Sequence, residues 1–126
     1  MTFLMLVRTA DKAYEAGQPP DPKMMAAMGE YTEKMIKSGV VLSTGGLLPS
    51  SHGARISLKK GKLTVIDGPF TEAKELIGGY AIIKAASKAE AIKLGSEFME
   101  LHRKVLADKW DGEVEIRQLE EYDPGA

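Results

Sequence analysis

The sequence predicts an α+β fold, an antiparallel sheet with two long helices laid against one side, and three observations carry that reading. Apolar residues recur at helical spacing in two segments only, Met24 to Ile36 and Ala91 to Val105. Short β-rich runs separate and flank these segments, each bounded by Gly, Pro, Asp or Ser. The length, 126 residues with 44% hydrophobic and 28% charged side chains, suits one domain around one core, with residues 122–126 expected as a frayed tail.

The first run places Phe3, Met5 and Val7 on one face and Leu4, Leu6 and Arg8 on the other. Both faces are mostly apolar, so this strand must be covered on both sides. Arg8, Asp11 and Lys12 cut the apolar start far short of a membrane span, and it lacks the charged leader and cleavage site of a signal peptide. A polar excursion to Gln18-Pro19-Pro20-Asp21-Pro22 follows. Asp21 and Pro22 open a helix, with the carboxylate free to take an orphan N–H and proline suited to the first helical position. Met24, Met25, Met28, Tyr31, Met35 and Ile36 mark its apolar stripe and Gly39 its stop; the methionines fit core packing or a plastic ligand surface.

Residues 40–44 form the second strand, closed by Gly45-Gly46. Ile56-Ser57-Leu58 and Leu63-Thr64-Val65-Ile66 flank Lys59-Lys60-Gly61-Lys62 as a hairpin with a basic tip, which discourages edge pairing. Thr71 to Glu75 suggests a single helical turn, after which Gly78-Gly79 introduces the strand Tyr80 to Ile83. Ser87 and Glu90 make a capping box, and Ala91, Gly95, Phe98, His102 and Val105 share one face of the second long helix. Residues 113–117 form the last strand, with Val114 and Ile116 inward. This order is βαββαβ with an elaborated central hairpin, the ferredoxin-like plan. Its helices cover one sheet face, and pairing of the other face with a second copy is the economical way to cover it, so a homodimer is expected.

A formal charge of -1 gives no field that would draw nucleic acid or anionic lipid, and neither is expected as a partner. The absence of cysteine excludes disulfides, thiolate metal sites and cysteine nucleophiles, and is compatible with a cytoplasmic location. Two histidines fifty residues apart make a poor metal signature, and no Walker, Rossmann or Gly-x-Ser-x-Gly motif is present. No cofactor and no metal are expected.

The box Asp67-Gly68-Pro69-Phe70, with Glu72, Lys74, Glu75, Gly78 and Gly79 behind it and Gly45-Gly46-Leu47-Leu48-Pro49 ahead, resembles the YCII-related family in its DGPF-box form. The resemblance covers nearly the whole chain. It implies a dimeric α/β barrel of the kind shared by muconolactone isomerases. For function it implies either chemistry like that of enzymes acting on chlorinated aromatic rings, where a histidine and aspartate pair sits in the cleft, or an accessory role beside alternative sigma factors. The segment from Met24 to Ile36 has no histidine, so this sequence departs from the placement of that pair in the smaller YCII enzymes.

Six residues are candidates for a site. Asp67 is placed to act as a base or simply to cap an Asx-type turn, a choice the resemblance leaves open. His102 sits on an apolar helix face, where a neutral imidazole serves as a base near pH 7 or bonds a backbone carbonyl within the core. Asp67 and His102 are the catalytic candidates; Arg8, Glu72, Lys74 and Tyr80 are the candidates for holding a small molecule. Arg8 and Lys74 supply charge for an anionic group, Glu72 a carboxylate and Tyr80 a hydroxyl, while surface ion pairs, snorkelling and packing explain the same residues without a ligand. Two functions follow: a cofactor-independent enzyme moving a proton on a small molecule, or a non-catalytic small-molecule-binding or regulatory module.

Overall fold

A computed structural model describes residues 1–121; the tail expected to fray lies outside the described residues. In chain order the elements are β1 (Thr2–Thr9), α1 (Lys12–Glu15), α2 (Pro22–Lys37), β2 (Val41–Gly46), β3 (Ala54–Lys59), β4 (Lys62–Asp67), β5 (Leu76–Lys84), α3 (Lys88–Leu106) and β6 (Gly112–Gln118). Four strands form an antiparallel sheet in the order β2-β5-β1-β6, and β3 and β4 form a separate two-stranded ribbon. With the ribbon set aside, this is the ferredoxin-like α+β fold, in which the first and third strands of the βαββαβ unit lie side by side at the centre.

The helices form where their ends are satisfied. Asp21 Oδ1 accepts from the N–H groups of Lys23 and Met24, at 2.8 and 3.3 Å, and so starts α2. Ser87 Oγ accepts from Glu90 N at 3.1 Å, while the Glu90 carboxylate reaches back to Ala86 N at 2.9 Å and fixes the entry of α3. Phe3, Met5, Ile83, Ala85 and Ala91 form the core between sheet and helices, with Val41, Leu94, Val114 and Ile116 against it. Gly95 lets α3 approach closely, since a Cβ there would stand 3.0 Å from Ile116 Cδ1.

Several local expectations are corrected. Only part of the methionine stripe faces inward: Met24 and Met35 are buried, whereas Met25 and Ile36 are 57% and 52% exposed. The Gly78-Gly79 pair lies within β5 rather than ahead of it, because pairing with β1 continues back to Leu76 through an irregularity at Val7/Arg8. Residues 71–75 do not form a helical turn; Ala73 N donates to Phe70 O in a tight turn instead. The polar excursion before α2 contains the one-turn helix α1, capped by Asp11. The hairpin turn holds Lys60 and Gly61 at φ 49° and 79°, the left-handed pair that a two-residue connection needs to match strand twist.

Among the described residues, no helix is long and apolar enough to cross a membrane.

Candidate functional site

A cavity of about 610 Å³ opens between the helix-side face of the sheet, the inner faces of α2 and α3, and the loop carrying α1. Its size is that of ordinary small-molecule pockets. Met5, Val7 and Ala81 line its floor, Met24 and Met28 one wall, and Phe98, His102 and Trp110 the other. The floor is open because glycine pairs from adjacent strands face each other there, Gly46 opposite Gly79 in register. A Cβ on Gly46 would meet nothing within 4 Å, so the space above it belongs to the cavity and not to packed protein.

His102 is held firmly. Its Nδ1 lies 3.0 Å from the carbonyl oxygen of Phe98, one helical turn back. A carbonyl only accepts, so Nδ1 carries the proton and Nε2 is left as the acceptor of the neutral ring. The imidazole is packed between Phe98 and Trp110, with centroid separations of 4.6 and 4.5 Å. Burial pulls its pKa below the ordinary imidazole value, while the bond to Phe98 acts in the opposite sense and does not prevail. The result is an oriented imidazole that favours the neutral form. Of the two readings from sequence, the structure shows the histidine bonded to a backbone carbonyl, and it places that histidine in the wall of the cavity.

Tyr14 adds a polar group from α1, its hydroxyl directed to Gly78 O at 3.4 Å, and burial raises its pKa. Asp11 and Asp21 border the same cavity, but each has an oxygen committed to a helix N-terminus. Among the described residues, no three histidine, aspartate or glutamate side chains converge in a way that would hold a metal.

Of the six candidates, His102 and Tyr80 border this cavity. Tyr80 does so at the backbone of β5: it stands opposite Leu6 in register, so its side chain lies on the other sheet face, the hydroxyl 3.3 Å from Ser43 Oγ. Arg8 points to the other sheet face, where its guanidinium donates to Glu115 at 2.5 Å; this bond, with Arg117, holds the Glu115 carboxyl below the usual carboxylate range. Asp67 and Glu72 stand at the root of the ribbon. Glu72 is hydrogen-bonded to its own backbone and paired with Arg55, and both lower its pKa. The Arg55 guanidinium in turn lies 3.9 Å above the Phe70 ring. Lys74 is exposed in the turn ahead of β5. Asp67 and His102 are therefore not among the groups one cavity brings together.

The Asp67-Gly68-Pro69-Phe70 box is a docking turn. Gly68 donates to Gly53 O at 2.9 Å and lies so close to the 3-10 turn at Ser50–His52 that a Cβ would fall 1.7 Å from Ser50 O. Only glycine fits that approach. Phe70 N donates to Ser50 Oγ, while the Ser50 hydroxyl and N–H both donate to the Glu15 carboxylate on α1. The box therefore ties the ribbon to the short helix that roofs the cavity. Trp110, Tyr14 and the Glu15–Ser50 link carry no sequence periodicity or motif; a lone tryptophan just past a helix end was the one available hint.

A ferredoxin-like sheet with an apolar cavity beneath its helices and one oriented imidazole in the wall defines a small α+β protein with a pocket between its layers. Residues 1–101 match the YCII-related domain, and the chain belongs to that family. It is also 29% identical over 105 residues to an uncharacterised protein of Rhizobium meliloti (strain 1021), covering 83% of this chain and 80% of that relative.

Proposed function

We propose that the chain binds a small, largely apolar cyclic molecule in the cavity under α2 and α3, and that His102 Nε2 accepts a proton from it without a cofactor. The observation that supports this reading is the combination at His102: a fixed tautomer, a depressed pKa and a place in the wall of a glycine-floored apolar cavity. A proton abstraction of this kind serves isomerisation or elimination. A second reading, a binding or regulatory module without turnover, is favoured by one feature: no carboxylate hydrogen-bonds the imidazole among the described residues, so the proton it takes has no relay. We further read the protein as a cytoplasmic homodimer that covers the outer sheet face, where Leu4, Leu6 and Ile82 are only partly shielded.

A two-stage experiment separates the readings. Small ring compounds are screened by thermal shift against the wild type and Gly46→Leu, whose Cβ meets nothing within 4 Å and whose remaining atoms take up cavity space. Ligands of the cavity raise the Tm of the wild type and not of the variant. Bound ligands are then incubated in D2O and followed by proton NMR. Exchange of a ligand C–H that is at least about a hundredfold slower with His102→Gln supports the enzyme, by the usual worth of a general base. Binding without exchange supports the module.

A further inference from the structure

One side of the cavity is closed by a loop that the fold holds only lightly. Residues 11–20 leave β1 after Thr9 and rejoin the fold at Asp21, the cap of α2, and Tyr14, Gln18, Pro19 and Pro20 among them line the cavity. The loop is built as a unit. Asp11 Oδ1 accepts from Ala13 N at 3.0 Å where α1 starts, and where it ends Gly17 N donates to Tyr14 O and Gln18 N to Ala13 O, at 3.0 and 3.1 Å. That pair of bonds is a Schellman stop, and Gly17 supplies the left-handed φ of 79° that it needs. With its backbone satisfied internally, the loop depends little on its neighbours. No residue of α1 is buried, and within residues 11–20 Tyr14 and Glu15 alone are half-buried. The same two make the hydrogen bonds that, among the described residues, join this stretch to the body of the protein beyond Thr9.

We propose that residues 11–20 form a lid on the cavity and that Glu15 is its latch, closed on Ser50. The inference rests on the reading of the cavity as a ligand site and adds how entry to that site is controlled. The two ties are unequal. The Tyr14 hydroxyl donates to Gly78 O at 3.4 Å, near the limit of a hydrogen bond, whereas the Glu15 carboxylate takes the Ser50 N–H on one oxygen, at 2.8 Å, and the Ser50 hydroxyl on the other. Bonds to an ionised carboxylate are the stronger kind, and two of them fix its orientation. Ser50 is the fixed side of the latch. Its Oγ accepts from Phe70 N at 3.0 Å, its carbonyl accepts from Gly53 N at 2.9 Å, and the Gly68 backbone is packed against it. Beneath the lid lies the cavity and not packed side chains, so a swing that breaks the latch gives up little apolar contact. Opening of such a loop sets how fast a ligand enters and leaves.

Access to the cavity can be read on the full chain without a ligand. Because the chain has no cysteine, Gly46→Cys puts a single thiol in the cavity, at a position where the added Cβ meets nothing within 4 Å. Its rate of modification by an aromatic disulfide reagent is compared in three backgrounds: the unaltered lid, Glu15→Ala and Lys12→Ala. Lys12 is exposed on the same short helix, and its side chain takes no part in either tie. Glu15→Ala is expected to raise the rate at least about tenfold, the usual effect of losing a hydrogen bond to a charged group, and Lys12→Ala to leave it unchanged. Equal rates with and without Glu15 overturn the lid. An equal rise with Lys12→Ala means a loosened helix and overturns the latch. Urea unfolding of each variant separates lid opening from global unfolding, and a rise that only follows lost global stability overturns the lid. A ring compound that binds the cavity gives a second reading by stopped flow: Glu15→Ala should speed association as well as dissociation, and faster dissociation alone overturns the lid. If no compound binds, the ligand reading fails while the thiol rates still decide the lid.

Discussion

At the scale of single residues, His102 shows how a fold tunes a side chain that sequence can only nominate. Helical spacing put it on the inner face of α3, but its bond to Phe98, its packing against Trp110 and its lowered pKa depend on groups that the chain brings together only on folding. A stability consequence follows from the direction of that shift. The folded-state pKa lies below the unfolded value, so the unfolded chain binds the proton more readily. The contribution of this group is complete above about pH 6.5 and is lost as the pH falls from there through the depressed folded value. Thermal melts between about pH 7.5 and pH 5.5 should show a Tm that declines more steeply for wild type than for His102→Leu, which has no proton to bind at this position. Equal slopes would mean that the imidazole is not held neutral. Asp67 illustrates the opposite case: a residue singled out by its box stands at the root of the ribbon, outside the groups that line the cavity.

At the scale of elements, the most legible features were those encoded within a few residues of one another. The capping contacts of Asp21 and Ser87, the alternation in β3 and β4 and the inner face of α3 are all local, and they appear where spacing puts them. Ser87→Ala removes the acceptor for Glu90 N at the start of α3 and should lower stability by about 1 kcal/mol, read from urea unfolding with an unchanged m-value. A changed m-value would point to an effect beyond the cap. What local pattern misjudged were boundaries set by strand pairing. The Gly78-Gly79 pair read as the entrance to a strand, but β1 pairs β5 back to Leu76 and draws both glycines into the sheet, where Gly79 opposite Gly46 leaves the floor of the cavity open. The phase of α2 was blurred in the same way. Met25 and Ile36 belong to the apolar set by composition and to the solvent side by geometry.

At the scale of the whole molecule, the helices cover one face of the sheet, and the proposed homodimer covers the other, where Leu4, Leu6 and Ile82 are only partly shielded. Such a dimer links stability to mass action. Its Tm should rise with protein concentration over a hundredfold range, whereas Leu6→Glu, which puts a charge at the centre of the outer sheet face, should melt at a temperature independent of concentration; differential scanning calorimetry gives both readings. The Glu15–Ser50–Phe70 contacts tie the ribbon root to the short helix beside the cavity, so ribbon and pocket share a structural element. By itself the sequence determined the α+β class, the order of the elements, both long helices with their caps, the alternating ribbon and the family, because each is written in spacings of a few residues or in a contiguous box. Only the tertiary structure decided which candidates meet. It joined His102 to Trp110, sent Arg8 to the face opposite the cavity, and made the DGPF turn an anchor against Ser50. The physical reason is that a site is a convergence of side chains from distant segments, and its geometry is fixed by strand register and helix packing, which no local pattern records.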